Sequence, residues 1–187
     1  MSGILCRQRV NNSVDLSDFE VSDRYNVDNT GLVCQWPSED VLAYFCLSHA
    51  DMFRSKRVIE LGSGYGLAGL VIAATTEALE VVISDGNPVV VDYIQHSIDA
   101  NSTAFGNTKV KTVTLHWDEE VTYNISDTFD VIVASDWTMQ DSLFITVALL
   151  FDSKFPLVLS LLVIFLKPVT SHQFLKTRAQ CSYFDHI

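Results

Sequence analysis

Residues 57–69 read RVIELGSGYGLAG: a short apolar run, glycines at alternate positions 62, 64 and 66, then small and aliphatic residues. A chain without side chains at Gly62, Gly64 and Gly66 lets a ligand approach its backbone. A helix starting just beyond offers that ligand unpaired amides. Dinucleotide sites favour G-x-G-x-x-G, and counting from Gly62 puts the third glycine of that pattern on Leu67. The spacing here is Glu60-x-Gly62-x-Gly64-x-Gly66, with an acid two residues ahead of the first glycine. Such an acid suits a ligand that carries an ammonium and no pyrophosphate.

Outward from the loop the chain alternates between strand and helix patterns. Val58–Leu61 reads as a buried strand, Leu67–Ala78 as a helix, and Glu80–Ser84 (EVVIS) as a second strand ending at Asp85. Pro88 fits the first turn of the next helix, where Val91, Ile94 and Ile98 keep helical spacing. Lys109–Leu115 alternates like a third strand, and Phe129–Ser135 (FDVIVAS) is apolar enough for a central one. Upstream, Pro37 and Ser38 open a helix that Ser38 is expected to cap, with Glu39 and Asp40 at its positive end. Val41, Leu42, Phe45 and Cys46 would form its buried face. Residues 1–30 are polar and mixed, an irregular arm or short edge strands.

Strands separated by helices imply an α/β fold: a doubly wound, Rossmann-like parallel sheet with its site at the strands' carboxyl ends. Gly62, Asp85, Trp117 and Asp136 all fall just past such ends. Asp85 is placed to accept hydrogen bonds from both hydroxyls of a ribose. NAD sites use the same acid, so Asp85 alone does not choose the ligand. Together with Glu60 and the glycine spacing it points to S-adenosylmethionine, which has an ammonium and an adenosine but no phosphate. A nicotinamide-dependent oxidoreductase is disfavoured by Leu67 and by the lack of a second half-fold.

The bulk properties agree with one globular domain. The chain has 187 residues, 48% hydrophobic and 11% aromatic, enough for a substantial core. Its formal net charge of −11 argues against a general nucleic-acid binder, which needs a basic face. The amino-terminal segment MSGILCRQRV lacks the pattern of a signal peptide, so the sequons at Asn11, Asn101 and Asn124 carry no weight. Cys6, Cys34, Cys46 and Cys181 lack metal-site spacing and read as free thiols, and the scattered histidines suggest no metal site.

The segment DNTGLVCQWPSEDVLAYFCLSHADMFRSK (28–56), followed by VIELGSGYGLAGL and VVISDGNP, closely resembles the calmodulin-lysine N-methyltransferase family. These are seven-β-strand, class I enzymes that use S-adenosylmethionine, and the similarity runs from about residue 3 to about residue 136. The resemblance implies that Trp36 lies against the cofactor, although a core aromatic tying the arm to the domain reads as well. It matches Glu60, Gly62, Gly64 and Gly66 to the cofactor loop and Asp85 to the ribose acid. Trp117 (in LHWDE) matches the tryptophan flanking the adenine, and Ser135 at the end of the fourth strand joins the cofactor set. Asp136 (in VIVASDW) matches the acid beside the substrate lysine, although an aspartate there can also cap a following helix.

Calmodulin is then the implied protein partner, of a monomeric enzyme with no nucleic-acid or membrane role, in the cytoplasm and also the nucleus. Calmodulin is itself acidic, so a chain of net charge −11 gains no overall steering toward it. Only a neutral lysine amine attacks a methyl group, and its ordinary pKa is about 10.4. An apolar channel lowers that value, whereas a carboxylate raises it, so Asp136 is assigned to positioning the amine.

After Asp136 the resemblance ends: Met139 stands where the family has an aromatic, and an apolar segment follows. The run Pro156–Leu166 is shorter than the ~20 residues a spanning helix needs. A buried strand or helix filling part of the sheet is the better reading, in a tail that suggests an alternative transcript end or a misread intron. The organisation is thus an arm (1–35), a cofactor-binding core (36–136) and a divergent apolar tail (137–187), the seven-strand sheet being incomplete at its carboxyl-terminal strands. A catalytically inactive variant that keeps only the cofactor-binding half is the alternative function.

Overall fold

The structure is a computed structural model that describes residues 3–7, 35–116, 129–135 and 160–164. Strands β1 (Arg57–Leu61), β2 (Glu80–Asp85), β3 (Lys109–Thr114), β4 (Val131–Ser135) and β5 (Ser160–Ile164) form one sheet in the order β3-β2-β1-β4-β5. Every pairing is parallel. The doubly wound α/β expectation therefore holds, with five strands among the described residues where the family resemblance implies seven. Chain order reverses at β1, which pairs with β2 on one side and β4 on the other. Ligands in open α/β sheets bind at such a switch point.

The central strands β1, β2 and β4 are buried along most of their length and carry apolar side chains toward both faces, whereas β3 (KVKTVT) is partly exposed. Successive side chains point to opposite faces, so Val58, Val81, Ile83, Val131 and Val133 enter one core while Ile59, Leu61, Val82, Ile132 and Ala134 enter the other. Each such aliphatic is worth about 1.5–3 kcal/mol of burial. The first core is filled by helices α1 (Pro37–Ser48), α2 (Leu67–Thr75) and α3 (Pro88–Asn101), through Leu42, Cys46, Leu70, Ile72 and Ile94 among others. Among the described residues no helix is long and apolar enough to cross a membrane.

Three local expectations are corrected. Trp36, not Ser38, is the N-cap of α1, because Pro37 occupies the first helical turn and sets the boundary two residues back. The buried face of α1 is Leu42, Ala43 and Cys46, while Val41 is 47% exposed. Helix α2 ends at Thr75 rather than running to Ala78. The apolar tail supplies β5, which pairs with β4 from Val131↔Ser160 to Ser135↔Ile164.

The amino ends of the strands are tied by polar contacts. Arg57 donates to Glu80 at 2.8 Å, Lys111 lies 2.9 Å from the same carboxylate, and the Arg57 amide donates to Asp130 at 2.7 Å. This edge sets strand alignment, leaving the carboxyl edge free for a site.

Candidate functional site

The loop between β1 and α2 crosses the carboxyl edge of the sheet at the switch point. Gly62, Gly64 and Gly66 have φ of 57°, 56° and 78°, the left-handed region that other residues enter only with strain. The alternation of glycines thus reflects a backbone that turns left-handed at every second residue. Gly66 is also the N-cap of α2, and the space around it is closed: a Cβ there would stand 3.0 Å from Ile83 Cγ2. A Cβ on Gly64 would run into the Glu39 carboxyl group, 3.2 Å from its Cδ.

Asp85, at the end of β2, is built into this loop. Its Oδ2 accepts from the Gly64 amide at 3.0 Å and its Oδ1 from the Asn87 amide at 2.9 Å. The Asn87 side chain in turn caps α3 by accepting from the Val89 amide at 2.9 Å. Asp85 is only half-buried, so its carboxylate lies within reach of a ligand hydroxyl at this edge.

Glu60 is placed differently. It is 2% exposed, and its Oε2 accepts from the Gly69 amide at 2.7 Å, under the first turn of α2. A Cβ on Gly69 would come within 2.6 Å of that oxygen, so the helix can approach Glu60 only because residue 69 is bare. Burial pushes the Glu60 carboxyl up to about 8, the Gly69 amide works against that shift, and the nearby Asp85 charge adds to it.

Glu39 is the residue the sequence reading missed. Treated there only as an acid suited to a helix N-terminus, it is 4% exposed and sits against Gly64. Its Oε1 accepts from the Trp36 amide at 3.4 Å, one half of a capping box, whereas its Oε2 is buried with no hydrogen-bond partner. Ser63 Oγ, inside the loop, is likewise buried and unpartnered. The sequence signal for Glu39 was weak: with Ser38 expected as the cap it stood beside it, and only with Trp36 as N-cap does it occupy the third helical position of a capping box.

The remaining predicted residues divide between those the structure describes and those it does not. Trp36 is half-buried and joined to the loop through Glu39. Ser135 ends β4, one residue past the Leu61↔Ala134 pair and so level with the start of the glycine loop. Trp117 and Asp136 lie outside the described residues. The amino-terminal segment also reaches the site: the Cys6 thiol donates to the Tyr65 carbonyl of the loop at 3.5 Å. Leu5 exchanges hydrogen bonds with the Asn101 side chain at 2.8 and 2.6 Å, and the Arg7 amide donates to Ser97 Oγ at 2.9 Å.

A doubly wound parallel sheet, with a left-handed glycine loop bridged to an acid at its switch point, is the α/β architecture in which ligands bind at the strands' carboxyl edge. The lysine methyltransferase family model matches residues 23–155, and the chain belongs to that family. The matched range passes residue 136, where the sequence reading ends the resemblance. The chain is 69% identical over 131 residues to an Arabidopsis thaliana calmodulin-lysine N-methyltransferase, covering 70% of this chain and 43% of that protein. It is 29% identical over 156 residues to the Mus musculus protein-lysine N-methyltransferase EEF2KMT, covering 76% of this chain and 46% of that one. A third relative, the Mus musculus EEF1A lysine methyltransferase 3, is 33% identical over 93 residues, 50% of this chain and 37% of that protein. The chain thus spans less than half the length of these curated relatives.

Proposed function

We propose that this chain binds S-adenosylmethionine at the loop of Gly62, Gly64 and Gly66 and serves a protein-lysine N-methyltransferase whose substrate is calmodulin. The observation that carries the reading is 69% identity over 131 residues to a calmodulin-lysine N-methyltransferase, across the segment that builds the site. The residues fit that cofactor. The loop is bare where a Cβ would collide with Glu39 or Ile83, a buried Ser63 hydroxyl lacks a partner, and the half-buried Asp85 lies within reach of a ribose diol.

When bound, the cofactor supplies a methyl group on a sulfonium, activated by its neutral thioether leaving group. The chain's own residues would bind and orient. Asp85 holds the ribose, the loop amides flank the ligand backbone, Trp36 and Trp117 cover its apolar surfaces, and Ser135 borders it from β4. Asp136, directly after β4, would orient the lysine amine without lowering its pKa, since a carboxylate favours the ammonium. Loss of the lysine proton then rests on an apolar surround, and the gain in rate on holding the amine in line. We place the chain as a monomer in the cytoplasm and nucleus, with a protein substrate rather than nucleic acid, in keeping with its formal charge of −11.

The test is methyl transfer from radiolabelled S-adenosylmethionine to unmethylated calmodulin by the purified chain, with cofactor binding measured in parallel by calorimetry. Label on calmodulin supports the whole reading. Binding without transfer supports the cofactor-binding half alone, and the absence of both would sink it.

A further inference from the structure

The glycine loop is flanked by two buried carboxyl groups, and they differ in what they touch. Glu60, from β1, spends Oε2 on the Gly69 amide at 2.7 Å and so braces the turn from loop to helix. Glu39, from α1, lies on the other side of Gly64, 4% exposed, with Oε2 buried and without a hydrogen-bond partner. The capping role of Glu39 uses Oε1 and leaves its second oxygen unexplained. A buried carboxyl oxygen with an unmet hydrogen bond is costly, and more so if the group is ionised.

The charged groups acting on Glu39 are all acidic. Burial first, then Glu60, Asp40 and Asp85, push its carboxyl well above its ordinary range, and the Trp36 amide works against them. Burial first, and then the charges of Glu39, Glu60 and Asp40, push the thiol of Cys6 in the amino-terminal segment up to about 12. Among the described residues no basic side chain pairs with Glu39. A site so arranged is complementary to a cation brought by the ligand, and the unmet oxygen lies beside the loop proposed to receive it.

We propose that Glu39 is a cofactor-binding residue whose free carboxyl oxygen receives the α-ammonium of the methionine portion, while Glu60 remains a positioning residue beneath the loop. The proposal rests on the S-adenosylmethionine reading given above and assigns one end of that ligand. It predicts a distinction by ligand rather than a general loss. S-Adenosylhomocysteine carries the amino acid; 5′-methylthioadenosine keeps the adenosine and the thioether but lacks it.

The experiment is calorimetry of the full chain with both ligands, for the wild type, Glu39→Gln and Glu39→Asp. Glutamine is as suited as glutamate to the capping position, so thermal melts should show both variants folded. Glu39→Gln should weaken S-adenosylhomocysteine roughly 10- to 100-fold, the size of a charge-assisted hydrogen bond, and leave 5′-methylthioadenosine within about twofold. Glu39→Asp, which keeps the charge, should give a smaller loss confined to the same ligand. Unchanged binding of S-adenosylhomocysteine by Glu39→Gln, or equal weakening of both ligands by either variant, would overturn the proposal. A wild type that binds neither ligand would remove the cofactor reading itself, and this assignment with it.

Discussion

The Asp85 carboxylate reaches from the end of β2 to the Gly64 amide at 3.0 Å, closing the glycine loop onto the neighbouring strand. Its other oxygen holds the Asn87 amide at 2.9 Å, so one side chain couples the loop after β1 to the start of α3. This acid is therefore part of the site's framework as well as its proposed ribose ligand.

Replacing Asp85 by Ala should free both amides and remove the ribose acceptor. Binding of S-adenosylhomocysteine and 5′-methylthioadenosine should fall together by roughly 10-fold or more, because both ligands carry the ribose. Calorimetry checks this, and a loss restricted to one ligand would contradict the assignment.

Gly64→Ala should be poorly tolerated. Its φ of 56° costs an L-residue about 1–2 kcal/mol, and the added Cβ would press on the Glu39 carboxyl. Cofactor affinity should drop roughly 30-fold or more, with a lowered denaturation midpoint, since overpacking adds about 1–3 kcal/mol. Retained affinity would show that the loop does not need its left-handed turn.

Stability should decline with rising pH. An ordinary glutamate titrates near 4.5, whereas burial raises the Glu60 carboxyl to about 8 in the folded chain. Between those values the native state holds a proton that the unfolded state has lost. The stabilisation present below about pH 4.5 is thus lost as pH rises toward 8, at up to ~1.4 kcal/mol per pH unit for one group. Denaturant melts from pH 5 to 8 should show the fall. Glu60→Gln, which keeps an acceptor for the Gly69 amide, should flatten the slope but leave the share due to Glu39, whose carboxyl is raised as well. A slope unchanged by the substitution would contradict a raised Glu60.

Asn101→Ala should loosen the amino-terminal segment. The amide of Asn101 both donates to and accepts from Leu5, so its loss leaves two backbone groups unmet, at a cost of about 1–2 kcal/mol. Hydrogen exchange at Leu5 should accelerate selectively, and Tyr65, whose carbonyl meets the Cys6 thiol, should follow if the segment supports the loop.

Much of the fold is written locally. The middles of EVVIS and FDVIVAS, Val81–Ile83 and Val131–Ala134, are apolar without alternation because a parallel strand buried on both faces needs no polar side, and the structure places β2 and β4 on them. The loop, the acid ending β2 and the proline opening α3 are each set by backbone requirements that few residue types meet. The chemistry of the glycine spacing could likewise be read from single residues. The tail's contribution was less legible: a short apolar run looks alike as strand or helix, and only pairing with β4 makes 160–164 a strand.

What residue order could not reveal is which acid faces which group. Glu39 and Glu60 stand 21 positions apart in sequence; Glu60 read as the acid of the cofactor loop, and Glu39 as an ordinary acid at a helix start. Packing of α1 on α2 buries the first against Gly64, and the bare Gly69 lets α2 settle on the second. Burial and hydrogen-bond partnership depend on neighbours brought from distant segments. A periodic pattern can therefore announce a cofactor loop, while the charge that faces it is decided only when the helices close over the sheet.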